Sequence, residues 1–456
     1  MKKLSKIMCL TATVSLVISI CGCKKDDSYE TGISTVTVWS GDTHSKDVYE
    51  HIINDYNSIR GKAKDIKIEY MVFGGDVIAE KTAVALQSGN APDLFASGNV
   101  KTVAEKGYAL ALNDLPGGEI IIEKNKNLLA ENREQYKGKT YRVPFGTVTQ
   151  GLIYNKDMFK EAGITDETGE AKPPETFDEL RDYAKILTNP KEKKFGIIFP
   201  MHWYAWFSSD LLCPMQSAVG HKGYNPATGK YDYEKLVPIM DTVLGIKEDG
   251  SCFPGSDEID NDSARAQFST GNIGMKYGFS FDVRVLNNQF ASKCDWGVAP
   301  YPVLDKNEKY MQTMEYGESM YIYSKTKIDH EKIADVYSYL ISDEVARTLF
   351  KESATHPIDW ELVKDINLSE DKKCWSDFAK IAEISVPAII EPQRDMGNEM
   401  DIFTRFVYQV WSGEKTSEQM LDEYTKAIET GVDFYYSNHP EESRSDYIDE
   451  TWNIRR

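Results

Sequence analysis

Two short polar loops contain side chains that could bind a small ligand. They are residues 40–44 (SGDTH) and 97–99 (SGN), and each directly precedes a predicted helix. The first N–H groups of a helix have no partner within it, so they can bind ligand oxygens. Asp42 and Asn99 could accept hydrogen bonds from a ligand at these helix starts, or each could cap its own helix. The sequence leaves both alternatives open.

A dense aromatic segment is the second candidate. Residues 201–207 (MHWYAWF) contain four aromatic side chains, among them Trp203, Tyr204 and Trp206. Aromatic rings can cover the apolar face of a ligand, although in proteins they more often pack in the core. The polar flanks of this segment and its histidine keep both interpretations open.

No motif in the chain indicates an enzyme. Two carboxylates ~5–9.5 Å apart could hydrolyse a glycosidic bond, but G-x-S-x-G, H-E-x-x-H and Gly-rich phosphate loops are absent from the sequence. The acidic segment 257–262 (DEIDND) lacks the Gly and Glu of a calcium-binding EF-hand loop and is typical of a helix start. We therefore predict no catalytic residue, no cofactor and no metal.

The cysteines beyond residue 23 do not form a metal motif either. Cys213, Cys252, Cys294 and Cys374 are far apart in the sequence, and none lies in a C-x-x-C or Cys/His cluster. We expect buried thiols, or one disulfide at most, and the sequence does not choose a pairing.

Alternating strands and helices must position the two polar loops. Strand patterns at 34–39, 66–70 and 93–96 alternate with helical patterns at 45–59 and 76–88. This order predicts a parallel sheet with right-handed crossovers, and Gly89 is a typical residue for the end of the second helix. In open sheets of this kind ligands bind beyond the carboxyl ends of the strands, which is where both loops lie.

Two long extended segments follow. Residues 141–155 (YRVPFGTVTQGLIYN) and 314–324 (MEYGESMYIYS) have no helical period, and each contains glycine. A strand that leaves one sheet and enters another would have this pattern. Further helices are predicted at 331–350, 398–412 and 417–436.

Composition excludes several classes of protein. The chain has 456 residues, of which 41% are hydrophobic and 27% are charged, as in an ordinary soluble protein of two or three domains. Its net charge is -19, which argues against a nucleic-acid partner, because nucleic acids require a basic surface. The acidity also argues against adhesion to anionic lipid.

The N-terminus predicts export. Lys2, Lys3 and Lys6 precede the apolar run 7–20, which is too short to span a bilayer but typical of a signal peptide. The following Ile-Cys-Gly-Cys resembles the lipobox of bacterial lipoproteins, in which the cysteine after the cleavage site is diacylated. We therefore predict a signal peptide over 1–22, lipidation of Cys23 and a tether over 23–33. A plain signal peptide with incidental cysteines is the alternative.

Several segments, taken in order, resemble the extracellular solute-binding proteins of family 1, which are the carbohydrate receptors of ABC importers. The matching segments are VTVWSG from residue 36, GNAPDLF from 89, VPFGTVTQGLIYNKDMFKEAGI from 143, PPETFDEL from 173, FSTGNIGM from 268, WGVAPYP from 296 and YGESMYIYSKTK from 316. The run LIYNKDMF followed by AGI is the most specific of them.

This resemblance implies an α/β fold with two lobes, each a mixed sheet flanked by helices, joined by crossing hinge strands. The two extended segments would be the crossings. Lobe one would comprise 34–148 plus 314–365, and lobe two 149–313 plus 366–456. The sugar would bind in the cleft between them.

The resemblance also implies aromatic side chains in the cleft. In the family the segment that contains Trp203, Tyr204 and Trp206 supplies such residues. The turn at Tyr277 and Phe279 also enters the cleft, although many relatives have Trp there and this chain has Phe. Core packing is the alternative for each ring.

Polar candidates complete the set implied by the resemblance. Asp42 and Asn99 could bind sugar hydroxyls. Glu318 lies on the returning crossing, where relatives commonly have a Gly pair and only Gly317 matches. Arg394 lies where the C-terminal segment of the family returns to the cleft, and its fork could hold hydroxyls or an acidic sugar. A solvated arginine is the alternative.

The prediction is a monomeric, lipid-anchored receptor on the outer face of a bacterial membrane. It would bind a carbohydrate and deliver it to the permease subunits of an ABC importer. A secreted carbohydrate-active enzyme and a glycan-adhesive surface lipoprotein are the alternatives.

Overall fold

The computed structural model describes residues 32–368 and 372–456. The predicted signal peptide, Cys23 and the tether up to residue 31 lie outside these ranges. Within them, no helix is both long and apolar enough to cross a membrane.

The strands, in chain order, are β1 Ser34–Ser40, β2 Ile66–Val72, β3 Leu94–Phe95, β4 Ala109–Leu110, β5 Gln135–Tyr136, β6 Lys139–Thr140, β7 Thr147–Val148, β8 Gln150–Asn155, β9 Phe195–Ile197, β10 Tyr224–Asn225, β11 Lys230–Tyr231, β12 Ile273–Phe279, β13 Trp296–Ala299, β14 Gln312–Tyr316, β15 Tyr321–Tyr323 and β16 Ser385–Pro387.

The α-helices are α1 Lys46–Tyr56, α2 Lys62–Lys64, α3 Gly75–Ser88, α4 Val100–Glu105, α5 Gly118–Asn125, α6 Lys156–Glu161, α7 Phe177–Ile186, α8 Cys213–Val219, α9 Val237–Glu248, α10 Asn261–Ser269, α11 Asp282–Arg284, α12 His330–Leu340, α13 Asp343–Lys351, α14 Lys373–Glu383, α15 Ile402–Arg405 and α16 Ser417–Asn438.

Lobe one is built on a five-stranded sheet with the order β2-β1-β3-β15-β4. Strands β2, β1 and β3 are parallel, as the alternating pattern predicted, and β15 is antiparallel to both of its neighbours. Val36 and Val38 of β1 are fully buried and pack with Ile52 and Ile53 of α1. Gly89 ends α3 with a φ of 76°, which confirms its predicted role.

Lobe two is built on a four-stranded sheet with the order β13-β8-β12-β9. Successive side chains of a strand point to opposite faces of the sheet. Leu152 and Ile153 of β8 therefore enter two different hydrophobic clusters, and both are fully buried. Because helices cover both faces, every residue of β8 and β12 is buried.

A third sheet, β16-β14-β7, contains the crossings. The segment 141–155 contributes β7 to this sheet and β8 to lobe two. The segment 314–324 contains the end of β14 and all of β15. The N–H of Gly317 donates to the carbonyl of Gly146 at 2.7 Å. A Cβ on Gly146 would lie 2.7 Å from the carbonyl oxygen of His356. Glycine is therefore required at position 146, where the first crossing passes close to the backbone of His356.

The C-terminal helices pack mainly on lobe two. Trp375, Phe378 and Ile381 of α14 join the hydrophobic cluster under β8 and β13. The helix predicted at 398–412 is shorter than expected, because α15 ends at Arg405 and a wider π-type turn continues to Trp411.

The four cysteines beyond residue 31 are thiols, which is one of the two outcomes expected from the sequence. Cys213, Cys294 and Cys374 are buried and Cys252 is half-buried. Burial raises the pKa of Cys252 to about 11 and also raises the pKa values of Cys213 and Cys294.

Candidate ligand-binding cleft

A cavity of about 600 Å³ lies where β1 and β3 end, against the crossing strands. Its wall combines the loop after β1, the first turn of α3, the loop after β3 and the link between β14 and β15. The polar and charged side chains of the lining include Asp42, Ser97, Arg133, Glu134, Arg142, Glu315 and Glu318. Both polar loops nominated from the sequence contribute to the cavity, as the rule for strand ends predicted.

Asp42 caps a helix start and also lines the cavity. Its Oδ1 accepts hydrogen bonds from the N–H groups of His44 at 3.1 Å and Ser45 at 3.0 Å, just before α1. Its second carboxylate oxygen accepts no hydrogen bond from the described part of the chain. Both alternatives stated for Asp42 are therefore compatible with its position.

Glu318 reaches the same loop from the crossing. Its carboxylate accepts from the N–H of Gly41 at 2.7 Å and from the hydroxyl of Ser40 at 2.7–2.8 Å. The hydroxyl oxygen of Ser40 in turn accepts from the N–H of Asp42 at 3.1 Å. Burial and the nearby charge of Asp42 raise the pKa of Glu318 to about 7.

Arg133 and Glu134 form a pair in the cavity wall that the sequence reasoning missed. The Nε of Arg133 donates to both carboxylate oxygens of Glu134 at 2.9 Å, and the guanidinium lies 4.6 Å from the centroid of the Tyr316 ring. The Nε and Nη2 of Arg142 donate to the carbonyl of Arg133. No strand-end loop or motif marks Arg133 and Glu134, so the sequence offered no signal for them. Arg142 lies on the predicted crossing 141–155 but was not singled out.

An aromatic stack links lobe two to the loop that carries Asp42. We define it as Trp203, Phe279, Phe281 and His44. Trp203 meets Phe279 edge to face at 5.6 Å, Phe279 lies parallel to Phe281 at 5.0 Å, and Phe281 lies parallel to His44 at 4.4 Å. Trp203 and Phe279 were predicted, whereas Phe281 and His44 were not singled out as binding residues.

Buried charges hold the turn that presents this stack. Asp282 is fully buried, and its carboxylate accepts from Arg265 at 2.7 Å, from the N–H of Phe279 at 3.1 Å and from Lys276 at 3.5 Å. Burial alone would raise the pKa of Asp282, but the charges of Arg265 and Lys276 outweigh it and hold that pKa below its usual value. We call Arg265, Lys276 and Asp282 the buried ion network.

Further contacts join the two lobes beside the stack. Arg284 of lobe two donates to the carbonyl of His44 at 2.9 Å and to the carboxylate of Asp47 at 2.6 Å. Elsewhere, Lys101 of α4 donates to the hydroxyl of Tyr435 at 2.7 Å and forms an ion pair with Glu442, beyond α16. The lobes therefore touch at more than one place.

Of the nine predicted binding residues, Asp42 and Glu318 line the cavity and the other seven do not. Trp203, Tyr204 and Phe279 belong to the aromatic stack or touch it.

Trp206 is fully buried among Phe199, Phe403 and Phe406, and Tyr277 is 4% exposed and meets Tyr301 edge to face. Both rings therefore pack in the core, which was the alternative stated for them, because they belong to the main hydrophobic cluster of lobe two.

Asn99 and Arg394 likewise have local partners. The side chain of Asn99 accepts from the N–H of Thr102 and caps α4. Arg394 donates to Glu391 at 2.6 Å and to the hydroxyl of Tyr231 at 3.3 Å. Tyr204, by contrast, is 80% exposed and touches Trp203 edge to face.

No metal site competes with the cleft in residues 32–368 and 372–456, where no group of three His, Cys, Asp or Glu side chains could hold an ion. In the acidic segment 257–262, Asp260 accepts from the N–H of Ser263 and caps α10.

Comparison with known proteins identifies similar chains. Residues 47–347 match the model of a family described as bacterial extracellular solute-binding protein. The maltotriose-binding protein of Pyrococcus abyssi is 23% identical over 350 residues, which cover 75% of this chain and 70% of that protein. The sn-glycerol-3-phosphate-binding periplasmic protein UgpB of Escherichia coli is 22% identical over 368 residues, covering 76% of this chain and 80% of that protein.

A receptor of known structure has a similar fold. The GacH receptor of Streptomyces glaucescens, solved unliganded and with acarbose, superimposes with a TM-score of 0.69 at 18% identity. The match covers 87% of this chain and 99% of that receptor. The two-lobe α/β fold predicted from the sequence is thereby confirmed.

Proposed function

The chain belongs to the bacterial extracellular solute-binding protein family, whose model matches residues 47–347, and on that basis we propose that it captures a sugar or oligosaccharide between its lobes. The family and the relatives named above are binding proteins, not enzymes. The ligand would pass from the cleft to the permease subunits of an ABC importer. The maltotriose-binding relative supports a carbohydrate as the cargo class.

The observation that carries this proposal is the pairing of a polar wall with an aromatic one. Sugars have hydroxyl edges, which planar polar side chains bind, and apolar C–H faces, which aromatic rings cover. The cavity of about 600 Å³ supplies carboxylates and the start of α3, which no side chain caps, and its volume is typical of small-molecule sites. The aromatic stack approaches the same loop from lobe two.

We assign the roles as follows. Asp42 and Glu318 hold hydroxyls or other donors of the ligand. Trp203 and the exposed Tyr204 cover its apolar faces, and Phe279 supports Trp203 from behind. Asn99, Trp206, Tyr277 and Arg394 act through capping, packing or local ion pairs instead.

Lobe closure is part of the proposed mechanism. The crossings at 141–155 and 314–324 allow lobe one, at 34–148 plus 314–365, to rotate against lobe two, at 149–313 plus 366–456. Closure expels water from both walls, and a ligand that binds only the closed state shifts the population toward it. The contact between Arg284 and Asp47 adds to the closed state.

The experiment is a thermal-shift and small-angle scattering screen of residues 24–456 against a broad glycan panel. A ligand that binds only the folded state raises the melting temperature, and closure lowers the radius of gyration. A panel in which no glycan produces either change would contradict the proposal. Release of reducing ends at enzymatic rates would favour the carbohydrate-active enzyme.

Lipid anchoring through Cys23 has its own test. Cys21, two residues away, provides a matched control. Cys23→Ala should abolish incorporation of labelled fatty acid and release the protein into the medium. Cys21→Ala should leave both properties unchanged, because that residue leaves with the signal peptide. Labelled Cys23→Ala protein would refute the anchor site.

A further inference from the structure

The cleft contains more negative charge than its own cations neutralise. Four carboxylates and two guanidinium groups line the cavity: Asp42, Glu134, Glu315, Glu318, Arg133 and Arg142. The distribution of partners among these six groups decides what charge a ligand meets.

Both guanidinium groups are occupied by the protein. Arg133 donates to Glu134, to the carbonyls of Ala388 and Leu128, and to the hydroxyl of Tyr316. Arg142 donates twice to the carbonyl of Arg133 and lies 5.0 Å from the centroid of the Tyr321 ring. Arg133 therefore presents no open two-pronged fork, and the Nε–Nη2 edge of Arg142, which can pair side-on with a carboxylate or phosphate, is taken up by the backbone.

Two of the four carboxylates have a cation of the protein nearby. Glu134 accepts from Arg133 at 2.9 Å; Glu315 accepts from the side-chain amide of Gln150 at 3.0 Å, and its charge acts on Lys222, whose pKa is raised despite burial. Asp42 and Glu318 remain as the cavity carboxylates whose only partners are uncharged donors.

Asp42 and Glu318 lack a cation. Within residues 32–368 and 372–456, neither forms an ion pair with a Lys, Arg or His side chain. Glu318 receives the single hydroxyl proton of Ser40 and the N–H of Gly41. The charge of Asp42 acts on the Glu318 carboxyl, so the two carboxylates are near each other in the cavity wall. With the free oxygen of Asp42, they can accept from a group that has several N–H donors.

From this arrangement, and resting on the proposed function, we propose that the cleft selects a saccharide that carries a protonated amine over its neutral and anionic counterparts. The ammonium group has three donors and no acceptor, which matches the free oxygen of Asp42 and the remaining lone pairs of Glu318. Its charge offsets the repulsion between the two carboxylates. A phosphate or uronate ligand would meet the same carboxylates and no open guanidinium fork.

The neutral and cationic probes of the test share one backbone and differ in charge. Short chitin oligomers are neutral, and their deacetylated forms carry amines; oligogalacturonates provide an anionic series. We expect calorimetry at neutral pH and low salt to give at least about tenfold tighter binding for the deacetylated series, which corresponds to about 1.4 kcal/mol. Added salt should reduce the preference, because it screens charge pairs.

Two variants test whether Asp42 and Glu318 cause the preference for the deacetylated series. Glu318→Gln and Asp42→Asn should each bring the ratio of the two dissociation constants toward one, whereas Glu315→Gln, at the same cavity, should keep it. Circular dichroism establishes that each variant is folded, and having two such variants keeps the test open if one of them is not.

The outcomes distinguish failure of this inference from failure of the proposed function on which it rests. Equal or weaker binding of the deacetylated series, or an unchanged ratio in both variants, would overturn the inference while any other glycan still bound. Failure of every glycan would overturn the proposed function instead.

Discussion

The two walls of the cleft are built on opposite principles. The lobe-one wall, with Asp42, Ser97 and Glu318, consists of polar groups at strand ends, held by hydrogen bonds to nearby backbone N–H groups. The proposed lobe-two wall lies outside the residues that line the cavity. It consists of the rings of Trp203, Phe279 and Phe281, next to a turn that the buried ion network holds. The first wall is held by local geometry and the second by buried charge.

This difference predicts that the walls fail in different ways. A change at a strand end removes a ligand contact and leaves the sheet intact. A change in the buried ion network leaves a charge in the core without its partner, which costs folding free energy before any ligand is present.

The largest effect should come from Asp282→Asn. It removes the buried counter-charge of Lys276 and one of the two carboxylates that pair with Arg265, and breaking a buried pair in this way costs about 3–5 kcal/mol. Urea unfolding monitored by circular dichroism measures the loss.

Asp262→Asn is the matched control for that change. Asp262 also pairs with Arg265, at 2.7 Å, but its side chain is 62% exposed, so less than about 1 kcal/mol should be lost. Equal losses in the two variants would show that burial of the pair is not what stabilises this wall.

Trp203→Ala should come next, with an effect on binding. Removing the ring should weaken the binding of the best glycan by more than about tenfold, or about 1.4 kcal/mol, with little change in melting temperature. Tyr408→Ala, at a ring that is 68% exposed, controls for the loss of an aromatic side chain. Unchanged affinity would place Trp203 outside the ligand contacts.

Glu318 provides a pH test of the polar wall. Its pKa is about 7 in the folded protein, against 4.5 for an ordinary Glu. Because the folded state holds this proton more tightly, its contribution to stability is fully present below 4.5 and is lost as the pH rises through about 7. Solvent contact at the cavity reduces the loss to about 1 kcal/mol.

Glu318→Gln cannot ionise, so it isolates this contribution. The free energy of unfolding of the variant, relative to the parent chain, should increase as the pH rises across that range. Taking the difference cancels other titrations, such as that of Asp210, whose pKa burial also raises to about 7. A difference that stays constant with pH would contradict the raised pKa.

The smallest effect should come from Arg284→Gln, which weakens the contact between the walls. Asp47 is 70% exposed, so the pair contributes less than about 1 kcal/mol. Scattering without ligand should give a slightly larger radius of gyration than for the parent chain. Lys46→Gln, which breaks a pair with Glu50 inside α1, should not change the radius. Identical radii for all three chains would mean that this contact does not hold the lobes together.

The sequence was most informative where local rules act. Parallel strands and their polar ends located Asp42 and the loop 97–99, because the site at a strand end follows from the order of elements alone. The crossings were recognisable from their length and glycines. Glu318 was then predictable from its place on a crossing, although its bonds to Ser40 and Gly41 were not.

Contacts between distant segments could not be predicted from the sequence. Trp206 and Trp203 are three positions apart in one aromatic run, yet one is fully buried and the other reaches the stack, which depends on packing against Phe406 and Phe279. One signal was present but unused. Lys276 is a single charge inside the apolar strand β12 (IGMKYGF), and a buried lysine requires an anionic partner nearby.

The covered thiols have a practical consequence for measuring ligands. Maleimides react with thiolates, and the raised pKa values of Cys213, Cys252 and Cys294 keep these side chains protonated near neutral pH. A single new cysteine at exposed position 204, as Tyr204→Cys in a chain that starts at residue 24, would therefore take up a dye selectively. Because this position adjoins Trp203, the dye's emission would change as the lobes close, and the receptor would become an optical sensor for its own sugar.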